Sequence, residues 1–238
     1  MAGPISTRLA TQKELAVDVV SFEFDLLSPA EFSFKPGQFV TLSVGSDPQG
    51  HPIRRSYSLA SMPEDTRRLR LIVKLTKEGP AGAFFRGLKL GDQVEMTGPH
   101  GFFVLDAQHP GDVVLAATGT GIAPMLPFLN ELAARNEAGR RYLHWGLRSE
   151  ADLFAYPELQ ALCERACCDL ALHLTAPSPA WQAPVGRINQ PVLDRLATLQ
   201  SPTFYLVGNG AMIRELKQAL MSRGIDRKRQ IRSEPFFD

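Results

Sequence analysis

Cysteine is scarce in this sequence, and charge leans to neither sign. Only Cys163, Cys167 and Cys168 occur in 238 residues. An odd number crowded into one segment excludes a disulfide framework, and a reducing, cytoplasmic compartment is the expectation. The plant-type and bacterial four-cysteine spacings of an iron–sulfur cluster are absent, as is the second ligand pair of a structural zinc site. The three cysteines read as packing residues of one helix, and no metal is expected. Twenty-six Lys and Arg face twenty-five Asp and Glu, a net charge of +1. No polyanion-binding field follows from that balance, and nucleic acid is not an expected partner. No run approaches the roughly 18 apolar residues of a membrane span. The opening Met1-Ala2-Gly3-Pro4 lacks the basic and apolar segments of a signal peptide, so no membrane is expected either. The five histidines are scattered, with no Ser-His-Asp arrangement; His100 and His144 read as structural.

Apolar residues make up 44% of the chain, enough for one large core or two small ones. The first hundred residues have strand character. Val17-Asp18-Val19-Val20-Ser21-Phe22-Glu23-Phe24, Phe39-Val40-Thr41-Leu42-Ser43-Val44 and Leu69-Arg70-Leu71-Ile72-Val73-Lys74-Leu75 are separated by turn signals at Lys35-Pro36-Gly37, Pro48-Gln49-Gly50, Gly79-Pro80 and Gly98-Pro99. A small antiparallel barrel is the expectation, with one short helix from about Ala83 to Leu88. After His109-Pro110-Gly111 the pattern changes to strands alternating with helices, which predicts a parallel α/β sheet. Strands are expected at Val113–Ala117, Tyr142–Gly146, Leu170–Thr175 and Thr203–Val207. Helices are expected at Pro124–Ala134, Pro157–Cys167, Gln190–Leu199 and Met212–Arg223. The boundary falls near residues 105–111, giving domains 1–106 and 107–238.

Two strand–glycine–helix junctions, Thr118-Gly119-Thr120-Gly121 and Gly208-Asn209-Gly210, stand in the second half. Glycines there let a ligand approach the backbone, and the helix N-terminus that follows favours an anion. Glycines also serve simply to close tight turns, and the residues alone do not separate the two roles. The spacing is not that of the three-glycine dinucleotide fingerprint. In the first half, Arg54-Arg55-Ser56-Tyr57-Ser58 gathers two guanidiniums, an aromatic ring and hydroxyls. Arg suits phosphate, a Tyr ring can cover a flat heterocycle, and Ser can donate to a ring nitrogen. An exposed basic strand is the plainer interpretation of the same residues.

Arg55-Ser56-Tyr57-Ser58 resembles the flavin-binding motif of the ferredoxin–NADP reductase superfamily, and the resemblance recurs in order along the chain. Phe34-Lys35-Pro36-Gly37-Gln38-Phe39 is similar to the turn and strand before that motif. Gly91-Asp92-Gln93-Val94 and Gly98-Pro99-His100-Gly101-Phe102 are similar to its late barrel strands. Thr118-Gly119-Thr120-Gly121-Ile122-Ala123-Pro124 and Gly208-Asn209-Gly210-Ala211-Met212 resemble its two nucleotide loops. The resemblance implies an N-terminal antiparallel Greek-key β-barrel that binds FAD and a C-terminal parallel α/β domain that binds NADP or NAD. By the same resemblance, Arg55 and Ser56 belong to the flavin motif, with Arg55 on the diphosphate. Tyr57 covers the isoalloxazine, and Ser58 approaches N5; these two are the implied catalytic residues. Leu71, Ile72 and Val73 line the flavin by their backbone, and Pro80, Ala81 and Gly82 hold phosphate. Thr118, Gly119, Thr120, Gly121, Pro124, Gly208, Asn209 and Met212 serve the nucleotide, Thr120 near both cofactors. Arg148 and Arg187 match positions that bind a 2′-phosphate, and Phe236 and Phe237 match a terminal aromatic segment that shields the flavin.

Three departures stand out. Val207 replaces a cysteine that many relatives place before the last nucleotide loop, Thr175-Ala176 replaces a Ser-Arg pair of NADP-selective members, and no iron–sulfur segment is present. The implied activity is electron transfer between NAD(P)H and a one-electron carrier, ferredoxin or flavodoxin. A reductase component serving a separate oxygenase-associated iron–sulfur protein, a free-flavin reductase and a non-catalytic flavin sensor are the alternatives. Arg54, Lys74, Arg86 and Lys89 are candidates for a basic patch facing an acidic carrier.

Overall fold

The computed structural model describes residues 3–106, 111–135 and 138–237. The chain divides into two units, Met1–Val104 and Leu105–Asp238. The expected boundary at residues 105–111 lies partly outside the described residues.

The first unit contains β1 (Gly3–Ala16), β2 (Val19–Ser28), β3 (Phe39–Ser46), β4 (Pro52–Ser58), β5 (Arg68–Lys74), α1 (Pro80–Gly87) and β6 (Gln93–His100). The strands pair antiparallel in the order β4-β3-β6-β1-β2-β5. The two edges meet where Leu59 bridges Leu71 and Ala60 N–H donates to Arg70 O at 2.9 Å, so the sheet closes as a Greek-key barrel. Alternation explains the interior. Along β6, Val94, Met96 and Gly98 point in while Gln93, Glu95 and Thr97 point out. Phe22, Phe24, Leu42, Leu69 and Leu71 fill the core, and α1 contributes Phe85, 1% exposed. The helix begins at Pro80, earlier than expected, because proline fits the first helical turn, where its missing N–H costs nothing.

The second unit contains β7 (Val113–Thr118), α2 (Met125–Ala134), β8 (Arg141–Leu147), α3 (Tyr156–Arg165), β9 (Cys168–Leu174), α4 (Asn189–Asp194), β10 (Thr203–Asn209), α5 (Gly210–Met221), α6 (Arg227–Gln230) and β11 (Ile231–Phe237). The sheet is parallel throughout, in the order β11-β10-β7-β8-β9. Its central strands β7 and β10 are buried along nearly their whole length, as a sheet covered on both faces requires. On one face Val114, Ala116, Tyr142, Phe204 and Leu206 pack with residues of α4 and α5. On the other, Tyr205 meets Phe128 of α2 edge-on, with ring centres 5.4 Å apart.

Several expectations are corrected. The cysteines do not share a helix: Cys163 lies in α3, Cys167 just past its end, and Cys168 opens β9. The helix expected over residues 190–199 is α4 followed by a 3₁₀ turn, Arg195–Thr198. Helix α5 starts at Gly210 because the side chain of Asn209 caps it, accepting from Met212 N–H at 3.0 Å. Strands β1 and β11 have no counterpart among the expected elements.

Candidate functional site

In the first unit, β4 carries Arg54, Arg55 and Ser56 exposed, Tyr57 half-buried and Ser58 buried. The Arg55 guanidinium donates to Arg54 O at 2.8 Å, and Ser56 Oγ lies 3.1 Å from Thr41 Oγ1 on β3. The Tyr57 ring packs against Phe85 of α1, with ring centres 5.0 Å apart and planes at 74°, and Phe85 leans in turn on Phe22 at 4.9 Å. Burial pushes the Tyr57 phenol up to about 12, against a smaller lowering by Arg55. The phenol therefore stays neutral through the physiological range.

The bridge between Leu59 and Leu71 brings the end of β4 beside β5. Leu71, Ile72 and Val73 all bury their side chains, which leaves their backbone atoms to meet a ligand. Contact between Tyr57 and Phe85 brings α1 to the same strand. Among the described residues no side chain caps the N-terminus of α1, where Pro80, Ala81 and Gly82 stand, so its first amides are available to an anion. A Cβ at Gly82 would lie 2.1 Å from Thr76 O; only glycine allows the loop to pass so close. This set of groups fits a flavin diphosphate and ring: a cation, an uncapped helix start, a packed aromatic ring and a buried hydroxyl. Arg86, by contrast, is engaged with Thr76 O at 2.8 Å and Lys77 O at 3.2 Å. It clasps its own loop, a structural duty that its place in the basic-patch expectation did not reveal. His100 is also engaged, with Nε2 3.0 Å from Thr97 Oγ1 and its ring 5.6 Å from that of Phe39.

In the second unit, strand order reverses between β7 and β10, and ligands of open α/β sheets bind at the carboxyl ends of strands at such a switch point. The two glycine loops lie side by side there. Asn209 N–H donates to Thr118 Oγ1 at 2.9 Å. A Cβ at Gly208 would lie 2.4 Å from Thr118 Oγ1, and one at Gly121 would lie 2.9 Å from Val207 O. After Thr118 the chain makes a 3₁₀ turn, Gly119–Ile122, before α2 begins at Met125, just after Pro124. Thr120 is buried within that turn. Trp145 Nε1–H donates to Gly119 O at 3.1 Å and so steadies the loop. Gly119 itself has φ 55°, and no heavy atom stands within 4 Å of where its Cβ would be. Met212, in the first turn of α5, is buried.

Arg148 follows β8 and is exposed; among the described residues its guanidinium has no partner. Glu150, a sequence neighbour with which it could have paired, is held by Ser178, whose Oγ and N–H donate at 2.6 and 3.0 Å. Arg187 is exposed but ion-paired with Glu215 at 3.3 Å, and Glu215 also accepts from Asn189. Ala176 N–H donates to Arg148 O at 2.7 Å, so the departure at Ala176 stands directly beside Arg148. Phe236 is half-buried on β11; the side chain of Phe237 lies outside the described residues. His144 is the centre of a buried relay that sequence reasoning did not detect. Its Nδ1 lies 3.1 Å from His173 Nε2, and its Nε2 accepts from Arg195 Nε–H at 3.1 Å.

Comparison with known proteins gives these halves a class. Residues 6–105 match the oxidoreductase FAD-binding domain family, and residues 115–218 the oxidoreductase NAD-binding domain family. The chain is 27% identical over 237 residues to ferredoxin–NADP reductase B of Sorangium cellulosum, covering 95% of this chain and 96% of that one. It is 30% identical over 211 residues to the ferredoxin–NAD(+) reductase component of an alkene monooxygenase system from Xanthobacter autotrophicus, covering 87% of this chain and 62% of that one. It spans 41–46% of the propane 2-monooxygenase reductase components that it also resembles. A ferredoxin NADP+ reductase from Neisseria gonorrhoeae, crystallised with FAD and NADP, matches with a TM-score of 0.80 at 25% identity over 99% of both chains. The chain belongs to the ferredoxin–NADP reductase superfamily. It is an FAD- and NAD(P)-dependent oxidoreductase that transfers electrons.

Proposed function

We propose that this enzyme takes electrons from NADPH and delivers them singly to a separate carrier, ferredoxin or flavodoxin. Residues 1–106 hold the flavin in this reading, and residues 107–238 hold the nucleotide. Similarity to a ferredoxin–NADP reductase along nearly the full length of both chains carries the choice of carrier. Bound FAD supplies two-electron acceptance from a nicotinamide and one-electron release to a carrier. The residues of the chain supply placement. Arg55 and the amides of Ala81 and Gly82 bind the diphosphate, with Pro80 opening the helix, and Ser56 helps to hold that strand. Tyr57 covers the ring, and Ser58 presents its hydroxyl at the reacting edge, the two acting as catalytic residues. The backbone of Leu71, Ile72 and Val73 lines the flavin. The loops at Thr118–Gly121 and Gly208–Asn209, flanked by Pro124 and Met212, orient the nucleotide.

The free guanidinium of Arg148 supports NADPH over NADH, because a 2′-phosphate requires a cation. Arg187 joins it once Glu215 gives way. A cytoplasmic, reducing setting accords with the three free cysteines. No helix among the described residues is long and apolar enough to cross a membrane.

Anaerobic mixing tests the reading. NADPH is expected to bleach the flavin absorbance faster than NADH, and ferredoxin or flavodoxin to reoxidise it. A flavin that neither nucleotide bleaches would refute it. A second reading, the reductase component of an oxygenase system, is favoured by the higher identity to such components, 30% against 27%. Turnover with an oxygenase-type iron–sulfur protein but with neither ferredoxin nor flavodoxin would select it.

A further inference from the structure

Arg148 and Arg187 are not equivalent cations, and the difference lies in one carboxylate. Arg148 follows β8, and Arg187 precedes α4. The end of β9 joins their two segments: Ala176 N–H donates to Arg148 O at 2.7 Å, and Gly186 N–H donates to Leu174 O at 2.8 Å. Ile188 packs against the end of β8, where a Cβ at Gly146 would lie 2.9 Å from Ile188 Cγ2. Both arginines therefore belong to the carboxyl ends of the strands, the side on which the nucleotide loops stand.

Glu215 stands in the second turn of α5. Arg187 Nη1 donates to its carboxylate oxygens at 3.5 and 3.3 Å, and Asn189 Nδ2 donates to Oε2 at 3.1 Å. The Arg187 and Glu215 side chains are 71% and 53% exposed. An ion pair so exposed is weak and parts readily. The cluster is also unfinished. Asn189 Oδ1 is buried and has no hydrogen-bond partner among the described residues, and buried acceptors are rarely left so unless a water or a ligand completes them.

A ribose 2′ substituent that reaches Arg187 also comes within reach of Glu215, because the two charged groups are 3.3 Å apart. A 2′-phosphate and a 2′-hydroxyl make opposite demands there. The phosphate needs the guanidinium and is repelled by the carboxylate. The hydroxyl is a donor, and an ionised carboxylate only accepts. Nucleotide sites commonly use an acidic side chain for the 2′-hydroxyl and an arginine for the 2′-phosphate.

We propose that Glu215 is a specificity-determining residue, which lets the site accept NADH beside NADPH. The assignment rests on the reading that the second unit binds NADPH. With NADH, the 2′-hydroxyl donates to the Glu215 carboxylate, and Arg187 stays paired with it. With NADPH, the 2′-phosphate takes Arg187 from Glu215 and meets Arg148 as a second cation that was never engaged. The carboxylate then keeps Asn189 Nδ2 as its donor, so its charge is not left bare; Asn189 is a positioning residue. Glu215 thus weakens NADPH and strengthens NADH, and Arg148 tips the balance back towards NADPH.

Calorimetric titration of the oxidised, FAD-loaded full chain with NADP+ and NAD+ tests this without turnover. Glu215→Gln should bind NADP+ about three- to tenfold more tightly and NAD+ more weakly by a similar factor. Arg187→Ala should weaken NADP+ about tenfold more than NAD+. Combining the two substitutions should abolish the gain in NADP+ affinity, since no guanidinium remains to be released. In steady state, Glu215→Gln should lower KM for NADPH and raise it for NADH, a divergence that a merely structural clasp between α4 and α5 would not produce. Equal shifts for both nucleotides, or none, would overturn the role of Glu215. Wild-type protein that bound NAD+ more tightly than NADP+ would instead refute the NADPH preference, and opposite shifts in Glu215→Gln would still uphold Glu215. Wild-type protein that bound neither nucleotide would overturn both.

Discussion

Gly208 and Gly119 stand in neighbouring loops, and alanine at each should fail in a different way. Gly208 has φ 113°, well outside the left-handed region that alanine tolerates as a single residue. Its added methyl would lie 2.4 Å from Thr118 Oγ1 and 2.7 Å from Thr118 O. The second contact is backbone, held in the sheet between β7 and β10, and cannot swing aside. Thr118 Oγ1 is also the acceptor for Asn209 N–H, so any retreat breaks that bond. Backbone strain of about 1–3 kcal/mol and overpacking of similar size add to about 2–6 kcal/mol. For a protein of this length that corresponds to a fall in Tm on the order of 10 °C. Gly119 has φ 55°, with nothing within 4 Å of the place a methyl would take. Alanine there should cost only about 1 kcal/mol, but it would fill space that a bound nucleotide needs. Thermal unfolding and steady-state kinetics separate the two: Gly208→Ala lowers Tm strongly, whereas Gly119→Ala nearly preserves Tm and raises KM for NADPH about tenfold or more. Equal Tm values for the two variants would refute the packing argument, and an unchanged KM in Gly119→Ala would refute the ligand argument.

Other outcomes follow from the same geometry. Phe85→Ala empties a site that is 1% exposed beneath Tyr57 and should cost about 3–5 kcal/mol; equilibrium dialysis should show weaker FAD binding although Phe85 lies behind the tyrosine. Arg148→Ala should raise KM for NADPH about 10- to 100-fold, the worth of one charge-assisted hydrogen bond, and leave NADH kinetics unchanged; equal effects on both nucleotides would exclude a 2′-phosphate contact. Burial, then His173 and Arg195, push His144 down to about 3. Its stabilisation is complete above the ordinary histidine value near 6.5 and is lost as pH falls towards 3, on the order of 5 kcal/mol in all; His144→Gln should flatten that acid limb of a denaturation series. Burial alone would raise the Asp112 carboxyl, but the amides of Gln200 and Arg140 and the Arg140 guanidinium hold it below its ordinary value. Asp112→Ala should therefore cost about 2–4 kcal/mol at neutral pH, a difference that shrinks as acid protonates the wild-type carboxylate.

Both architectures were legible in the sequence because each rests on local patterning: partial alternation in β2, continuous apolar runs in β7 and β10. Strand β11 was not, since Ile231-Arg232-Ser233-Glu234-Pro235 is mostly polar and contains a proline. It is an edge strand, paired on one side by β10, where proline and partial exposure are tolerated. Strand β1 hid for a related reason: residues 11–14 are exposed although they pair with β2. Pairings between distant residues left no local trace. Arg187 reaches Glu215 across 28 positions and His144 reaches Arg195 across 51, so the relay and the engaged arginine appear only in three dimensions.

The motif residues themselves differ in what they say about a ligand. Gly121 and Gly208 would be glycine even in a protein that bound nothing, because two backbone segments pass too close for a Cβ. The same holds for Gly82 against Thr76 O. Gly119 has no such duty: its surroundings are open, and only its φ of 55° speaks for glycine at all. Arg55 is similar. It is exposed, and the contact it makes, with the carbonyl of its own neighbour Arg54, would be dispensable to the barrel. Tyr57 lies between these cases: it is half-buried, and Phe85 braces it. Bound cofactors are therefore signalled more by Arg55, Gly119 and Arg148, which the fold does not need, than by the glycines that make the loops conspicuous in the sequence. If Arg55→Ala left both the Tm and the FAD content of the purified protein unchanged, that ordering of the residues would be wrong.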